Sequence, residues 1–397
     1  MLKALGQVGG ARMLATAAQA ITMLVMARGL GPSAFAQFAA VLGTLMALIM
    51  IADGGATYAV GRHHESVQTV AEVFRANRLL TYGVLAISLP VLAVLAGTTQ
   101  STVLAACVPL CFWAPLERQL EVISAYLIAR GGQQMVGFGY FVRRMPTLAV
   151  VLLVPTGSAL VWAFSLSMLV AAIAARLMFA RHLSGSGLAL PGRALPDRTT
   201  WAMLAPFWAA LAGQGIRQAD VAVLTISAGT PVAGIFAPAS RLTPALMLVP
   251  WTYTQLLLPR LATTKERLSL VTILVVGALS AAFFVPLAIT APWWIALLLG
   301  EAYAPSAAVV RIIVVSLVFA AVASAIASGL NAVDQASLVA AIVWTSSIVT
   351  LALIATFGPL FGAVGAAWSV AFGYVLQCSL MGAAYRFKVK PASVVNV

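Results

Sequence analysis

Apolar stretches of about 20 residues, enough for a helix to cross roughly 30 Å of hydrocarbon, follow one another along this chain from residue 9 to residue 384. No water is available to peptide groups inside lipid, so each segment must satisfy its own backbone. Only helices and closed β-barrels do so. A barrel would show short alternating segments, whereas here Ala, Leu, Val and Gly form unbroken runs. The chain therefore reads as an all-α polytopic membrane protein. Hydrophobic residues make up 62% and charged residues 8%, with a mean hydropathy of +1.02, which leaves little for a soluble domain.

Twelve spans are expected, near 9–28, 37–59, 78–97, 102–129, 134–154, 158–180, 200–226, 232–258, 268–289, 303–330, 335–356 and 361–384. Their connections alternate in charge. Those at 60–77, 130–133, 181–199, 259–267 and 385–397 carry Lys and Arg, while those at 29–36, 98–101, 155–157, 227–231, 290–302 and 357–360 carry none. Basic loops stay in the cytoplasm, so both termini are expected there. The net charge of +13 is read as this topological signal and not as a nucleic-acid surface. Membrane lipid is the surrounding partner.

The Gly-, Pro- and Ser-rich segment 184–199 lies near the midpoint. It is expected to be a cytoplasmic linker between a six-helix lobe at 1–183 and another at 200–397. The halves share a pattern. LGPSAFAQFA (30–39) and AGTPVAGIFA (228–237) align Gly31 with Gly229, Phe38 with Phe236 and Ala39 with Ala237. Each sits at the outer hairpin opening its half. Parallel repeats of this kind are related by an axis along the membrane normal, with a substrate site at their interface. Two pseudo-symmetric lobes around a central cavity are expected.

Arginines interrupt the apolar runs at 118, 143, 144, 217, 241 and 311. A charge at bilayer depth is costly and faces a protein interior or a wet path. With 10 acids against 23 bases, the interior is expected to be cationic. Arg241 and Arg311 have no acid within four residues, which makes them the leading cavity candidates. Arg217, Arg143 and Arg118 complete the expected substrate-binding set. A guanidinium is permanently charged and matches phosphate with a planar fork.

Four acids are candidates for ion coupling. Asp220 shares a helix face with Arg217, three residues away. Glu117 and Glu121 stack at i, i+4, where two like charges repel. Arg118 is placed to reach Glu121 and leave Glu117 without a local base. Asp53 precedes Gly54 and Gly55, which also reads as an ordinary helix C-terminal turn. Trp113, Tyr140, Phe141, Trp251 and Tyr253 are aromatic candidates for stacking on sugar or for interfacial anchoring. Cys107 and Cys111 share a helix face but lie far in sequence from His63, His64 and His182, so packing is expected and not metal. There is no P-loop and no HExxH; no cofactor is expected.

The stretch ARGLGPSAFAQFAAVLGTLMALIMIADGG (27–55) resembles the opening hairpin of Wzx-type polysaccharide flippases, which share a superfamily with MATE exporters and lipid II flippases. Members typically show an LGP turn followed by G-x-(F/Y), then a helix ending in DxG and an Arg. Here these are Leu30-Gly31-Pro32, Asp53-Gly54-Gly55 and Arg62, with Ala36 where Gly is usual. GQGIRQADVAVLTISAGTPVAGIFAPASRL (213–242), Pro259-Arg260, LLGEAYAPSAAVVRI (298–312) and FGAVGAAWS (361–369) continue the likeness along the chain. The two additional helices common in lipid II flippases have no room here. The resemblance implies two lobes in a V and transport of an undecaprenyl-pyrophosphate-linked oligosaccharide to the outer leaflet, with a polysaccharide polymerase and co-polymerase as partners. The rival reading is an ion-coupled MATE-type exporter of small molecules, which needs an acidic cavity. A membrane polymerase or ligase would need a sizeable outer loop, and the longest connection on that side is about 290–302.

Overall fold

In a computed structural model, the structure describes residues 2–154, 156–184, 196–248, 250, 269–333 and 335–388. All regular elements among them are helical. In the first half these are α1 (Leu2–Ile51), α2 (Ala56–Arg62), α3 (Val67–Thr99), α4 (Thr102–Ala106), α5 (Val108–Ala129), α6 (Gln133–Leu153) and α7 (Ser158–Ser184). The second half holds α8 (Arg198–Ile216), a 3₁₀ turn (Arg217–Ala219), α9 (Asp220–Ala228), α10 (Thr230–Leu246), α11 (Leu270–Ile289), α12 (Ala291–Leu299), α13 (Ser306–Ala332) and α14 (Ala336–Lys388). Among the described residues, seven helices are long and apolar enough to cross a membrane. The protein is a multi-pass membrane protein.

α14 contains two expected spans, and α1 contains one and most of a second, 37–59, whose end passes through the turn at 52–55 into α2. Gly31 (φ 72°, ψ 170°) breaks the helical path inside α1, and Gly362 (φ 65°, ψ −153°) breaks it inside α14. The expected span 102–129 is divided into α4 and α5 at Cys107, where Pro109 at the start of α5 has no N–H to continue the ladder. The span expected at 78–97 begins earlier, at Val67, because the Ser66 hydroxyl accepts from the Thr69 N–H at 3.3 Å and caps the helix. Arg193, Arg260, Lys265, Arg267, Lys390, Trp251 and Tyr253 lie outside the described residues.

At the arginine-poor end the chain reverses through residues with positive φ: Gly31, Gln100, Gly157, Gly229, Gly300 and Gly362. A helix that must return within a few residues needs a dihedral that only glycine adopts cheaply. Gly31 and Gly229, aligned by the sequence repeat, share nearly one conformation, at φ 72°, ψ 170° and φ 85°, ψ 166°. The aligned Phe38 and Phe236, and Ala39 and Ala237, are all fully buried.

Within the first half, α3 and α7 pack on α5, and α6 packs on α7; within the second, α13 packs on α11 and α14, and α14 on α8 and α9. α1 joins the halves by packing on α6 on one side and on α8, α9 and α10 on the other. Its second arm runs antiparallel to α8. A Cβ on Gly43 would stand 2.3 Å from the Gln218 carbonyl oxygen, and one on Gly215 2.7 Å from Met50 Cβ. Farther along, one on Gly55 would stand 2.7 Å from the Leu204 carbonyl oxygen, and Trp208 Nε1 donates to the Ile51 carbonyl at 2.7 Å. The seam closes by glycines meeting backbone, as small residues allow in membrane helix pairs. Beyond α1's turn, the buried Tyr303 hydroxyl donates to the Ala27 carbonyl at 2.9 Å.

Gly31→Ala is expected to destabilise the protein by about 1–3 kcal/mol, the usual cost of a strained glycine-only conformation. Gly10→Ala, in a helix with open space around it, is expected to be neutral or stabilising by up to about 1 kcal/mol. Thermal unfolding in detergent, read by intrinsic fluorescence, checks the opposite signs.

Candidate functional site: four interhelical guanidinium clusters

The interior arginines are answered mostly from other helices. Arg118 on α5 donates from Nε to Asp53 Oδ1 at 2.6 Å and also bonds the Thr57 hydroxyl. Asp53 is fully buried in the turn between α1 and α2, where Gly54 (φ 63°) and Gly55 (φ 84°) permit the left-handed geometry. Its Oδ1 also accepts from the Thr57 hydroxyl at 2.9 Å, and Asn77 of α3 donates to the Ala52 and Asp53 carbonyls at 3.4 Å. The expected pairing of Arg118 with Glu121 is replaced by this one. Helical spacing brings only same-helix neighbours together, and Asp53 is a packing neighbour instead.

The second cluster joins α5 to α6. Arg143 pairs with Glu117 at 3.2 Å and Glu121 at 2.8 Å, and Arg144 pairs with Glu117 at 2.6 Å. Adjacent residues on a helix point about 100° apart. Both guanidiniums converge on Glu117 Oε1, which lies between their two directions. Glu117, expected to lack a base, holds two, so the mutual repulsion of Glu117 and Glu121 is offset by guanidinium. Tyr140 lies under Arg143, 4.7 Å from ring centroid to guanidinium carbon, and donates to Glu121 Oε2 at 3.3 Å. Glu121 keeps 26% side-chain exposure while Arg143 keeps 1%, so the cluster opens on its Glu121 side.

The third cluster lies on the seam. The 3₁₀ turn at Arg217–Ala219 separates α8 from α9 and turns Asp220 toward α10. Arg241 donates to Asp220 Oδ1 at 2.7 Å and to the Gln218 carbonyl at 3.0 Å. Ser240 donates to Asp220 Oδ2. Arg241, expected to face the cavity unpaired, is therefore a matched and buried partner of Asp220, with 6% side-chain exposure. Gly43 supplies its space: a Cβ there would stand 2.7 Å from Arg241 Nη2.

The fourth cluster follows from the third. Arg217, expected to pair with Asp220, points to α14 instead. It donates to Ser346 Oγ at 3.1 Å and Gln377 Oε1 at 2.9 Å, and lies 4.9 Å from the Tyr374 ring centroid. Its Nε is buried without a hydrogen-bond partner. Among the described residues, no carboxylate lies within salt-bridge distance of Arg217. Arg311 behaves differently again. It is exposed and donates to the Ala288 and Ile289 carbonyls at 3.3 and 3.5 Å. It thus caps the last turn of α11, where a cation also meets the negative end of the helix dipole.

Trp113 is fully buried core, and Phe141 is 52% exposed and stacked on Phe138. Ser346, Tyr374 and Gln377 were not singled out from the sequence. The available signal was Tyr374 and Gln377 at i, i+3 inside an apolar run, one face of one helix.

No family model and no curated protein sequence matches the chain. Solved structures do. An inward-facing multidrug resistance MATE family transporter of the MOP superfamily superposes with a TM-score of 0.74 at 13% identity, covering 94% of each chain. The lipid II flippase MurJ in an inward closed conformation gives 0.72 at 11% identity, over 97% of this chain and 88% of that one. A MOP superfamily transporter from Pyrococcus furiosus, described by the reverse polarity of its binding pocket, gives 0.64 at 13% identity over 97% and 95%. The chain has the fold of MOP-superfamily transporters and flippases.

Removing one member of the Asp220–Arg241 pair leaves a buried charge alone, at a cost of about 3–5 kcal/mol. Arg241→Met is expected to lower thermal stability by that amount. Asp220→Leu/Arg241→Met is expected to recover most of it. Unfolding midpoints of the two variants in detergent decide the matter.

Proposed function

We propose that this protein carries a lipid-linked oligosaccharide with a pyrophosphate headgroup across a bacterial inner membrane by alternating access of its two halves. Residues 1–183 and 200–397 form the lobes, joined by the cytoplasmic linker 184–199, with both termini in the cytoplasm. A polysaccharide polymerase and co-polymerase take the unit on the outer side.

One observation carries this reading: Arg217 is a part-buried guanidinium held by a hydroxyl, an amide and a ring, with an unused Nε. Its neutral partners leave a positive charge that a phosphate can take up bidentately. Arg118, Arg143 and Arg241 serve the same reading as clamps that fix the helices around it. Asp53, Glu117, Glu121 and Asp220 are held by guanidinium, so a cationic cargo finds no free acid among them. The MATE-type exporter is the weaker reading for that reason. The lipid II flippase among the structural neighbours moves a cargo of the kind proposed here, and the neighbour with reversed pocket polarity is a precedent for one fold serving opposite charges.

Arg217→Gln keeps a hydrogen-bonding side chain and loses the charge. It is expected to cut transport of lipid-linked oligosaccharide at least tenfold with normal protein levels, and Arg217→Lys to retain part of it. Reconstituted vesicles with a labelled lipid-linked oligosaccharide measure both. Wild-type transport by Arg217→Gln rejects the assignment.

A further inference from the structure

Two open, shallow clefts among the described residues lie outside all four clusters. Both run between α6 and α7. One, of about 580 Å³, is lined by Met135, Ala174, Leu177, Met178, Arg181 and His182. The other, of about 430 Å³, is apolar and is lined by residues that include Val142, Pro146, Leu166, Val170 and Ala174. They meet at Ala174 and make one groove with a basic mouth and a greasy floor.

Local sequence explains its shape. At Gly139 the helices touch: a Cβ there would stand 2.5 Å from Phe179 Cζ. Seven residues on, Pro146 lacks the N–H that the Val142 carbonyl would take, which removes one bond from the α6 ladder. Beyond the contact at Gly139, the apolar cleft is lined on α6 by Val142, Pro146 and Val150. Ala163, Ala171 and Ala174 on α7 add little bulk to fill it.

Charge and length indicate the occupant. α6 and α7 contain no Asp or Glu, and the mouth carries Arg181 and His182, both exposed. From Arg181 to Ala163 the helical rise is about 27 Å. One leaflet of hydrocarbon is about 15 Å deep, half of roughly 30 Å. A diacyl phospholipid anchored at the mouth ends near the midplane, whereas this groove continues past it. We infer that the α6–α7 groove binds a polyprenyl phosphate lipid, with its anionic head at Arg181 and His182 and its isoprenoid chain along the floor past Ala174. This rests on the proposed function only in that such a lipid is the carrier part of the proposed cargo.

The test uses the full-length protein in phosphatidylcholine nanodiscs with a photoreactive polyprenyl phosphate, the labelled peptides being read by mass spectrometry. Labelling is expected on α6 and α7, and at least tenfold less in Ala174→Trp, which blocks the junction from an exposed position. Arg181→Ala/His182→Ala, at the exposed mouth, is expected to lose it similarly and guards against misfolding of the first variant. Excess dioleoylphosphatidylglycerol is expected to compete weakly. Equal competition overturns the isoprenoid assignment, and labelling elsewhere, or labelling untouched by both variants, overturns the groove. Labelling is read without transport. A labelled groove in a protein that moves no lipid-linked oligosaccharide therefore refutes the transport reading alone, and transport without groove labelling refutes the groove alone.

Discussion

A guanidinium inside a membrane protein must be answered by the protein itself, and this requirement organises the molecule. Lipid offers nothing to a buried cation, so each interior arginine fixes the position of whatever neutralises it. Asp53 ties the α1–α2 turn to α5, Glu117 and Glu121 tie α5 to α6, and Asp220 ties α9 to α10. These are ties between helices that apolar packing alone would leave free to slide, since helices in lipid have little hydrophobic reason to prefer one another. The pairs also help a chain with few acids hold arginines at depth: four of its ten acids, Asp53, Glu117, Glu121 and Asp220, lie against the interior arginines.

Much of the architecture was legible in the sequence because its causes are local. Apolar length gave the crossings, and arginine-free connections marked the end where positive-φ residues reverse the chain, from Gly31 and Gln100 to Gly362. The breaks within spans were less legible. Nothing in R-Q-A-D announces that 217–219 winds as a 3₁₀ turn, yet that turn sends Arg217 and Asp220 to different helices. The pairings were illegible for a related reason. Spacing rules see residues three or four apart, whereas Arg118 meets an acid 65 positions away and Arg241 one 21 positions away. The partners of Arg311 were illegible as well, because carbonyls at the end of another helix answer it, and carbonyls leave no mark in a sequence.

The repeat becomes more informative once side chains are placed on it. The spacing that relates Gly31 to Gly229 also relates Gly43 to Arg241, and these two residues meet at the seam. One half therefore places its largest interior cation where the other half has no side chain at all. Identical residues at both positions would leave either two guanidiniums in conflict or an empty seam. The same spacing relates Gly234 to Ala36. A Cβ on Gly234 would stand 2.2 Å from the Pro32 carbonyl oxygen, so the second half keeps the glycine that the first half has replaced. The halves share a backbone plan and differ where they touch.

That asymmetry leaves the charge uneven. In the first half Arg118, Arg143 and Arg144 face Asp53, Glu117 and Glu121, three against three. In the second half Arg217 and Arg241 face Asp220 alone, and Arg217 takes neutral partners. The two kinds of cargo then meet different costs. A cation entering must pull a carboxylate from its guanidinium, breaking a charge-assisted bond of roughly twice the strength of a neutral one. On the proposed reading, an anion entering at Arg217 displaces Ser346 and Gln377, neutral acceptors whose bonds to a charged donor contribute about 1.5–3 kcal/mol each, and it replaces them with an oppositely charged partner. The difference between a guanidinium with neutral partners and one matched by a carboxylate arises from the single turn that parts Arg217 from Asp220.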